Sequence, residues 1–224
     1  MKRRILCFGD SNTWGYNPIG GCRYDDETRW PMRMQHVLGD AYTVIEEGLS
    51  GRTCVFDDPV EGGFMNGSIQ LPVLLKSHSP LDVVILMLGT NDTKCRFGMN
   101  AKTIGEAMMQ LVQRVRLYGY DNEGKPPRIV IAAPAPILGN LMQAGHGPCF
   151  GPQAIGVSHD LTKEYERVAK LLRCDYFDAS GSAEVSRIDA VHLTAEGHIR
   201  LGDAMAKKMK QMFAQNTRTE EHQI

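Results

Sequence analysis

The chain has 224 residues, 42% of them hydrophobic, which is enough to bury the core of one domain. Its 25 basic and 26 acidic residues nearly balance, so the sequence predicts no broad electrostatic attraction to nucleic acid or to an anionic membrane. A small neutral ligand suits this composition better.

The six cysteines are widely scattered, and the sequence has neither a C-x-x-C pair nor a histidine cluster at zinc spacing. We interpret the cysteines as reduced thiols of a cytoplasmic protein. The basic start, MKRRILCFGDS, carries an apolar run of four residues, which is too short for a signal peptide. Because no stretch approaches the roughly 20 apolar residues of a membrane helix, we expect a soluble protein.

Short apolar runs recur along the chain and predict the strands of a sheet. Runs of this length are typical of strands that are covered on both faces, as in a parallel sheet. In chain order they are residues 5–8, 44–45, 83–88, 129–133 and 174–177.

Apolar residues at 3.6-residue spacing predict helices between these runs. One such face consists of Ile104, Met108, Leu111, Val112 and Val115. A second consists of Leu161, Tyr165, Val168, Ala169 and Leu172. A final helix is predicted to begin near the N-cap Thr194. Its inward residues would be Leu201, Met205, Met209 and Met212.

Alternation of strands and helices predicts a three-layer α/β/α sandwich with a central parallel sheet and right-handed crossovers. Residues 1–215 are predicted to form this single domain, and residues 216–224 a polar, frayed tail. Two stretches rich in glycine and proline, 17–29 and 134–152, are expected to be surface loops that border a site.

Polar residues follow the predicted strands at the points where these end. They are Asp10 and Ser11, Ser50 and Gly51, Thr90 to Asp92, and after the last strand Asp189 and His192. Because the carboxyl ends of parallel strands share one edge, where ligands bind, we expect these segments to converge on one crevice.

The crevice offers each group that acyl transfer by a serine requires: a base, a group that orients the base, and oxyanion donors. Asp189 and His192 are three residues apart, so the carboxylate can reach one imidazole nitrogen while the other faces Ser11. Candidate oxyanion donors are the backbone N–H groups of Ser11 and Gly51 and the side-chain amide of Asn91. Glycine at position 51 lets the backbone approach a ligand closely.

Four sequence blocks resemble those of SGNH/GDSL hydrolases, in family order and at family-like spacing. They are F-G-D-S-N-T at 8–13, G-L-S-G-R at 48–52, G-T-N-D at 89–92 and D-A-V-H at 189–192. The resemblance implies a flavodoxin-like sandwich in which Ser11 is the nucleophile, Gly51 and Asn91 are oxyanion donors, and Asp189 and His192 complete the triad. It also implies that the site takes no metal and no organic cofactor.

The segment G-D-S-N-T-W-G-Y at 9–16 resembles the bacterial arylesterase and acyltransferase branch, whose members act on small acyl esters and often form oligomers. From this resemblance we expect hydrolysis of short-chain acyl or aryl esters by an oligomeric protein, with acyl transfer or perhydrolysis as a side activity. The sequence departs from the branch at Asn12, where leucine is more common. Trp14, three residues after Ser11, is expected either to line the acyl pocket or to serve in packing.

Two other functions fit the same crevice. A carbohydrate O-acetyl esterase is the nearest enzymatic alternative, and a non-catalytic small-molecule binding module is an alternative of another class. A flavin or nucleotide carrier is disfavoured, because Asp10 stands where phosphate-binding loops favour Gly, Ser or Thr.

The remaining polar residues have structural interpretations. Asp10 is expected to fix the turn after the first strand, and Asp92 to be structural. Arg52 and Lys94 are expected to be solvated, at a rim where either could meet an anionic substrate. Surface positions or core filling are expected for His36, His78, His146, His159, His198 and His222.

Overall fold

The computed structural model describes residues 2–221, and gives the side-chain surroundings of residues up to 214. One parallel sheet has the order β2-β1-β3-β4-β5. Its strands are β1 (Arg3–Gly9), β2 (Tyr42–Gly48), β3 (Val83–Met87), β4 (Arg128–Ala133) and β5 (Asp175–Asp178). Every predicted run overlaps one of these strands. Gly9 pairs with both Gly48 and Met87, so β1, β2 and β3 end side by side.

Helices cover both faces of this sheet. They are α1 (Ser11–Trp14), α2 (Trp30–Leu38), α3 (Gly67–His78), α4 (Ala101–Tyr118), α5 (Gly147–Phe150), α6 (Gln153–Leu172) and α7 (Ala195–Glu221). Alternate residues of β1 point to opposite faces: Leu6 and Phe8 pack with α3, α4 and α6, whereas Ile5 and Cys7 pack with α2 and α7. The predicted three-layer α/β/α sandwich is thereby confirmed.

The predicted helix α7 begins directly after Thr194. The Thr194 Oγ1 accepts a hydrogen bond from the N–H of Gly197 at 2.9 Å, as an N-cap should. The four inward residues predicted for this helix are buried. The helix continues to Glu221, into the segment predicted as a tail, and residues 222–224 lie outside the described part of the chain.

Three features differ from the sequence prediction. The edge strands β2 and β5 are mostly half-buried rather than covered on both faces, because each has a neighbouring strand on one side only. The helices α2 and α3 were not predicted. Pro72 lies inside α3 and weakens its helical pattern, whereas Pro31 lies in the first turn of α2, where proline is tolerated, and α2 has only nine residues.

None of the helices among the described residues is long and apolar enough to span a membrane.

Candidate active site

A tight turn after β1 presents Ser11. Asp10 is the N-cap of α1, and its Oδ1 accepts the N–H of Asn12 at 3.0 Å. Its carbonyl oxygen accepts the N–H groups of Thr13 and Trp14. Asp10 therefore fixes the turn, as its residue type predicts, and Ser11 occupies the first position of α1, just beyond the end of β1.

Ser11, His192 and Asp189 form a continuous hydrogen-bonded chain. The Nε2 of His192 lies 2.9 Å from the Oγ of Ser11, and its Nδ1 lies 2.6 Å from the Oδ2 of Asp189. The other carboxylate oxygen, Oδ1, accepts the backbone N–H groups of Val191 and His192 at 3.0 Å each. Burial opposes ionisation of Asp189, but the bond from His192 and these backbone donors outweigh burial and lower the pKa of the carboxyl.

Asn12 joins the serine turn to the histidine loop. Its Nδ2 donates to the carbonyl oxygen of Val191 at 3.3 Å, and its Oδ1 accepts the N–H of Leu193 at 3.0 Å. These bonds lie on both sides of His192 in the sequence, and the Asn12 side chain is buried. The backbone that carries His192 is thus attached directly to the residue after Ser11.

Ser11 and His192 line a cavity with a volume of about 190 Å³, and the other predicted oxyanion donors, Gly51 and Asn91, lie on its wall. Gly51 has a φ of 89°, and a Cβ atom at this position would clash with the Oε2 of Glu61. Asn91 donates one amide hydrogen to the carbonyl oxygen of Arg52 at 3.1 Å, which leaves its second amide hydrogen for another acceptor. The structure therefore brings Ser11, Gly51 and Asn91 together.

Several residues on the cavity wall were not identified from the sequence. They are Tyr16, Glu61, His146, Cys149, Phe150 and Val191, whereas Lys94, which also lines the cavity, was expected at the rim. Two of the chain segments that supply them, around residues 61 and 146–150, are loops or a single helical turn, in which no hydrophobic periodicity marks the side chains that face the site. The expected border loop 134–152 contributes three of the six.

Trp14 is not among the described residues that line the cavity. The helix α1 ends after one turn at Gly15, whose φ is 92°, so the chain reverses there instead of continuing as a helix. The ring of Trp14 packs beneath the guanidinium of Arg23, whereas the ring of Tyr16 lies 4.1 Å from that of His192. The ring of Trp14 therefore packs outside the described cavity lining, and Tyr16 lies beside the site. A role of Trp14 in acyl binding stays a prediction.

The expectation that Arg52 and Lys94 are solvated is wrong. Both are buried, at 3% and 4% exposure. Arg52 donates to the carbonyl oxygen of Gly9 at 2.8 Å and lies 4.2 Å over the ring of Phe8. Lys94 donates from Nζ to the Oε1 of Glu61 at 2.6 Å. Each cation is buried because the fold supplies acceptors for it.

His146 lies beside the serine–histidine–aspartate chain. Its ring is 5.4 Å from that of His192, and its Nε2 is 3.9 Å from the Oδ2 of Asp189. Burial and the neighbouring His192 lower the pKa of His146. One possible ligand atom from each of these three residues lies within 4.8 Å of the other two, so they form a group that could hold a metal ion among the described residues.

His198 fills the core, as expected for this residue. It is fully buried against the edge of Tyr24, and burial lowers its pKa to about 3. Within the described residues, neither of its ring nitrogens has a hydrogen-bond partner. His192, three residues from Asp189, is therefore the histidine that the fold presents to Ser11.

A larger cleft of about 720 Å³ lies elsewhere on the protein and is lined by residues from 135–139, 159–163 and 180–187. It contains no residue of the four sequence blocks. Size alone would select this cleft, but the hydrogen-bonded chain through Ser11 identifies the smaller cavity as the candidate active site.

Comparison with known proteins shows the family to which the chain belongs. The GDSL-like lipase/acylhydrolase family matches residues 7–200. The structure of a carbohydrate acetylesterase from Sinorhizobium meliloti is 40% identical, with a TM-score of 0.88 over 94% of this chain and 100% of that one. The structure of an aryl esterase from M. smegmatis is 34% identical, with a TM-score of 0.87 over 93% of this chain and 99% of that one.

A curated relative shares a shorter segment. An acetylxylan esterase from Xylanibacter ruminicola is 29% identical over 113 residues, which are 50% of this chain and 22% of that protein. The chain thus matches only a minor part of this relative's length. The extent of the family match, together with the full-length structural relatives, shows that the chain belongs to the GDSL-like lipase/acylhydrolase family and is an ester hydrolase.

Proposed function

We propose that the protein hydrolyses short-chain acyl or aryl esters through an acyl-enzyme formed on Ser11. The observation that carries this proposal is the unbroken hydrogen-bonded chain from Ser11 through His192 to Asp189. In the first step the Oγ of Ser11 attacks the ester carbonyl carbon while Nε2 of His192 takes its proton. Asp189, whose lowered pKa keeps it ionised, holds the imidazole and stabilises the imidazolium that forms.

Breakdown of the tetrahedral intermediate releases the alcohol, which takes the proton from His192. Water then attacks the acyl-enzyme with His192 again as the base, and the acid leaves. An alcohol or a peroxide in place of water would give acyl transfer or perhydrolysis from the same intermediate. The backbone N–H groups of Ser11 and Gly51 and the free amide hydrogen of Asn91 are the proposed donors to the oxyanion.

The size of the cavity supports small substrates. Its volume of about 190 Å³ is below the roughly 300–1,000 Å³ of pockets that enclose drug-sized ligands. Tyr16 and Phe150 are the aromatic residues among its described lining, and they narrow the space around Ser11. An acetyl to butyryl group is therefore the acyl part that we propose.

Hydrolysis of O-acetyl groups on carbohydrates is the second candidate. It is supported by the charged side chains of Glu61 and Lys94 on the cavity wall, which suit a hydroxylated substrate better than an apolar one. The names of two relatives, a carbohydrate acetylesterase and an acetylxylan esterase, point the same way. The expected cytoplasmic location and homo-oligomeric state remain predictions.

Substitution of the proposed triad tests the mechanism. We expect Ser11→Ala and His192→Ala each to lower kcat for p-nitrophenyl acetate by at least about a thousandfold, because nucleophile and base act as one unit. The double variant should lose no more than either single one. Asp189→Asn should also lower kcat severely. A Ser11→Ala protein with near wild-type turnover in the presence of EDTA would exclude the mechanism.

Two controls distinguish an esterase from a binding module, and His192 from His146 as the catalytic base. A fluorophosphonate should label wild type at one site per chain and leave Ser11→Ala unlabelled, whereas a binding module should not react. His146→Ala tests the choice of base, since His146 lies in the same cavity. If that variant were inactive while His192→Ala retained activity, the assignment of the base would be wrong.

A further inference from the structure

Glu61 belongs to a compact group of four charges at the wall of the cavity. Its Oε1 accepts hydrogen bonds from the Nζ of Lys94 and the Nη2 of Arg96, both at 2.6 Å. Arg96 also pairs with Asp58, whose side chain is fully buried. The two carboxylates and two cations balance, so the group as a whole carries no net charge.

The second carboxylate oxygen of Glu61 is differently placed. Within the described residues, Oε2 makes no hydrogen bond, although both cations bond to Oε1. It lies so close to Gly51 that a Cβ atom at that position would clash with it. Glu61 and Gly51 both line the cavity with Ser11. A carboxylate acceptor thus stands beside a proposed oxyanion donor.

A carboxylate beside Gly51 is electrostatically unfavourable for the reaction unless its charge is offset. An isolated negative charge beside Gly51 would oppose the oxyanion that forms in the reaction. Lys94 and Arg96 offset that charge through Oε1, while no described residue bonds to Oε2, which lies against Gly51 on the cavity wall. The wall therefore offers a strong acceptor next to the reacting ester at little electrostatic penalty.

We propose that Glu61 Oε2 accepts a hydrogen bond from a free hydroxyl of the substrate, next to the ester that Ser11 cleaves. The inference rests on the proposed function and narrows it to esters of polyols, including sugars, in which the free hydroxyls belong to the alcohol part. A hydroxyl donates well to a carboxylate, and such charge-assisted bonds are roughly twice as strong as neutral ones. An apolar alcohol part leaves Oε2 without a partner, which is the basis of the selectivity.

A pair of acetate esters isolates the effect of one hydroxyl. 2-Hydroxyethyl acetate and propyl acetate have the same acyl group and differ only in a hydroxyl in place of a methyl group. We define the hydroxyl preference as the ratio of their kcat/KM values, divided by the ratio of their rates of hydrolysis by hydroxide. Wild type should show a preference of about tenfold, and Glu61→Leu a preference near one.

Asp58→Asn is the matched control. It disturbs the same charged group, since Asp58 pairs with Arg96, but Asp58 is not among the described residues that line the cavity. We expect this variant to retain the wild-type hydroxyl preference, whatever its stability. An equal loss of preference in Asp58→Asn and Glu61→Leu would overturn the proposal, because integrity of the charged group alone would then explain it.

Two further outcomes would also overturn it. One is a wild-type preference of one or less, which requires no folded variant to observe. The other is a Glu61→Leu protein that hydrolyses both esters more slowly by the same factor. Failure of the proposed function gives a different result from failure of the role of Glu61. In that case wild type would hydrolyse neither ester, or Ser11→Ala would hydrolyse both.

Discussion

Asn12 shows how a single side chain can orient a catalytic loop. Where the resembling branch more commonly has leucine, this chain has an amide that bonds to the backbone at Val191 and Leu193. The polar groups on both sides of His192 are buried, so each needs a partner. We infer that Asn12 positions His192 without touching the substrate.

Replacement of Asn12 by leucine tests this positioning role. Asn12→Leu leaves a buried carbonyl and a buried N–H without their partners, so the free energy of unfolding should fall by about 2 kcal/mol. Looser orientation of His192 should lower kcat about tenfold, with a smaller change in KM. Steady-state kinetics and urea denaturation measure both quantities. An unchanged kcat in a destabilised protein would mean that Asn12 serves stability alone.

Asp10 should make the free energy of unfolding depend on pH. Burial raises the pKa of its carboxyl from 3.8 to about 6, despite the opposing hydrogen bond from Asn12. Between about pH 4 and pH 6 the unfolded chain has released this proton while the folded chain retains it, so the free energy of unfolding falls as pH rises. The full difference corresponds to roughly 3 kcal/mol.

Asp10→Asn removes this titration, and asparagine can still cap α1. The free energy of unfolding of the variant, minus that of wild type, should therefore increase by roughly 2–3 kcal/mol from about pH 4 to pH 7. Denaturant titrations at several pH values measure the difference directly. A difference that is constant with pH would show that the two carboxyl pKa values, folded and unfolded, are alike.

The sequence predicted the site residues that lie in recognisable local patterns. Ser11, Asn91 and His192 follow strands within short recognisable blocks, so their convergence could be expected. Tyr16 and Glu61 could not be found in this way. Their positions depend on the reversal at Gly15 and on the ion pairs of Lys94, which are tertiary features.

At the scale of elements, periodicity predicted the long and strongly patterned segments. The helices α4, α6 and α7 bury the faces that their sequences indicated. The helix α3 has a proline in its interior and exposes the apolar residues Ile69 and Val73, so its apolar residues do not form a clear stripe, and α2 has only nine residues. Element length and proline content therefore separate what could be predicted from what could not.

The single-turn helix α5 should limit the acyl chain of the substrate. It supplies Phe150, which lines the cavity and packs against Ile137, Leu141 and Ala154. We expect kcat/KM of wild type to fall beyond butyryl esters. In Phe150→Ala the preference should shift to longer chains, by up to about fourfold per methylene, which corresponds to about 0.8 kcal/mol of burial.

Trp14→Ala is the control for Phe150→Ala, since Trp14 packs beneath Arg23 outside the described cavity lining. Acetyl, butyryl and octanoyl p-nitrophenyl esters provide the chain-length profile of each variant. We expect the profile of Trp14→Ala to match that of wild type. A shifted profile in Trp14→Ala but not in Phe150→Ala would show that Trp14, and not Phe150, limits the acyl chain.

The order of the strands in the sheet explains why the site forms at the carboxyl ends of β1 and β3. The connections diverge between the neighbouring strands β1 and β3, and a crevice opens at such a point beyond the carboxyl ends of the strands. Ser11 follows β1 and Asn91 follows β3, while His192 arrives from the loop before α7. The site therefore depends on elements from both faces of the sheet.

This dependence predicts that the protein loses structure and activity in one step. Leu111 is buried on the α4 face of the sheet and Met205 on the α7 face. We expect Leu111→Ala and Met205→Ala each to lower the free energy of unfolding by about 2–5 kcal/mol through the cavities they create. If residues 1–215 form one domain, either change should shift the urea midpoints of far-UV circular dichroism and esterase activity together. Separate midpoints in one variant would instead show that the two layers unfold independently, because each variant weakens only one of them.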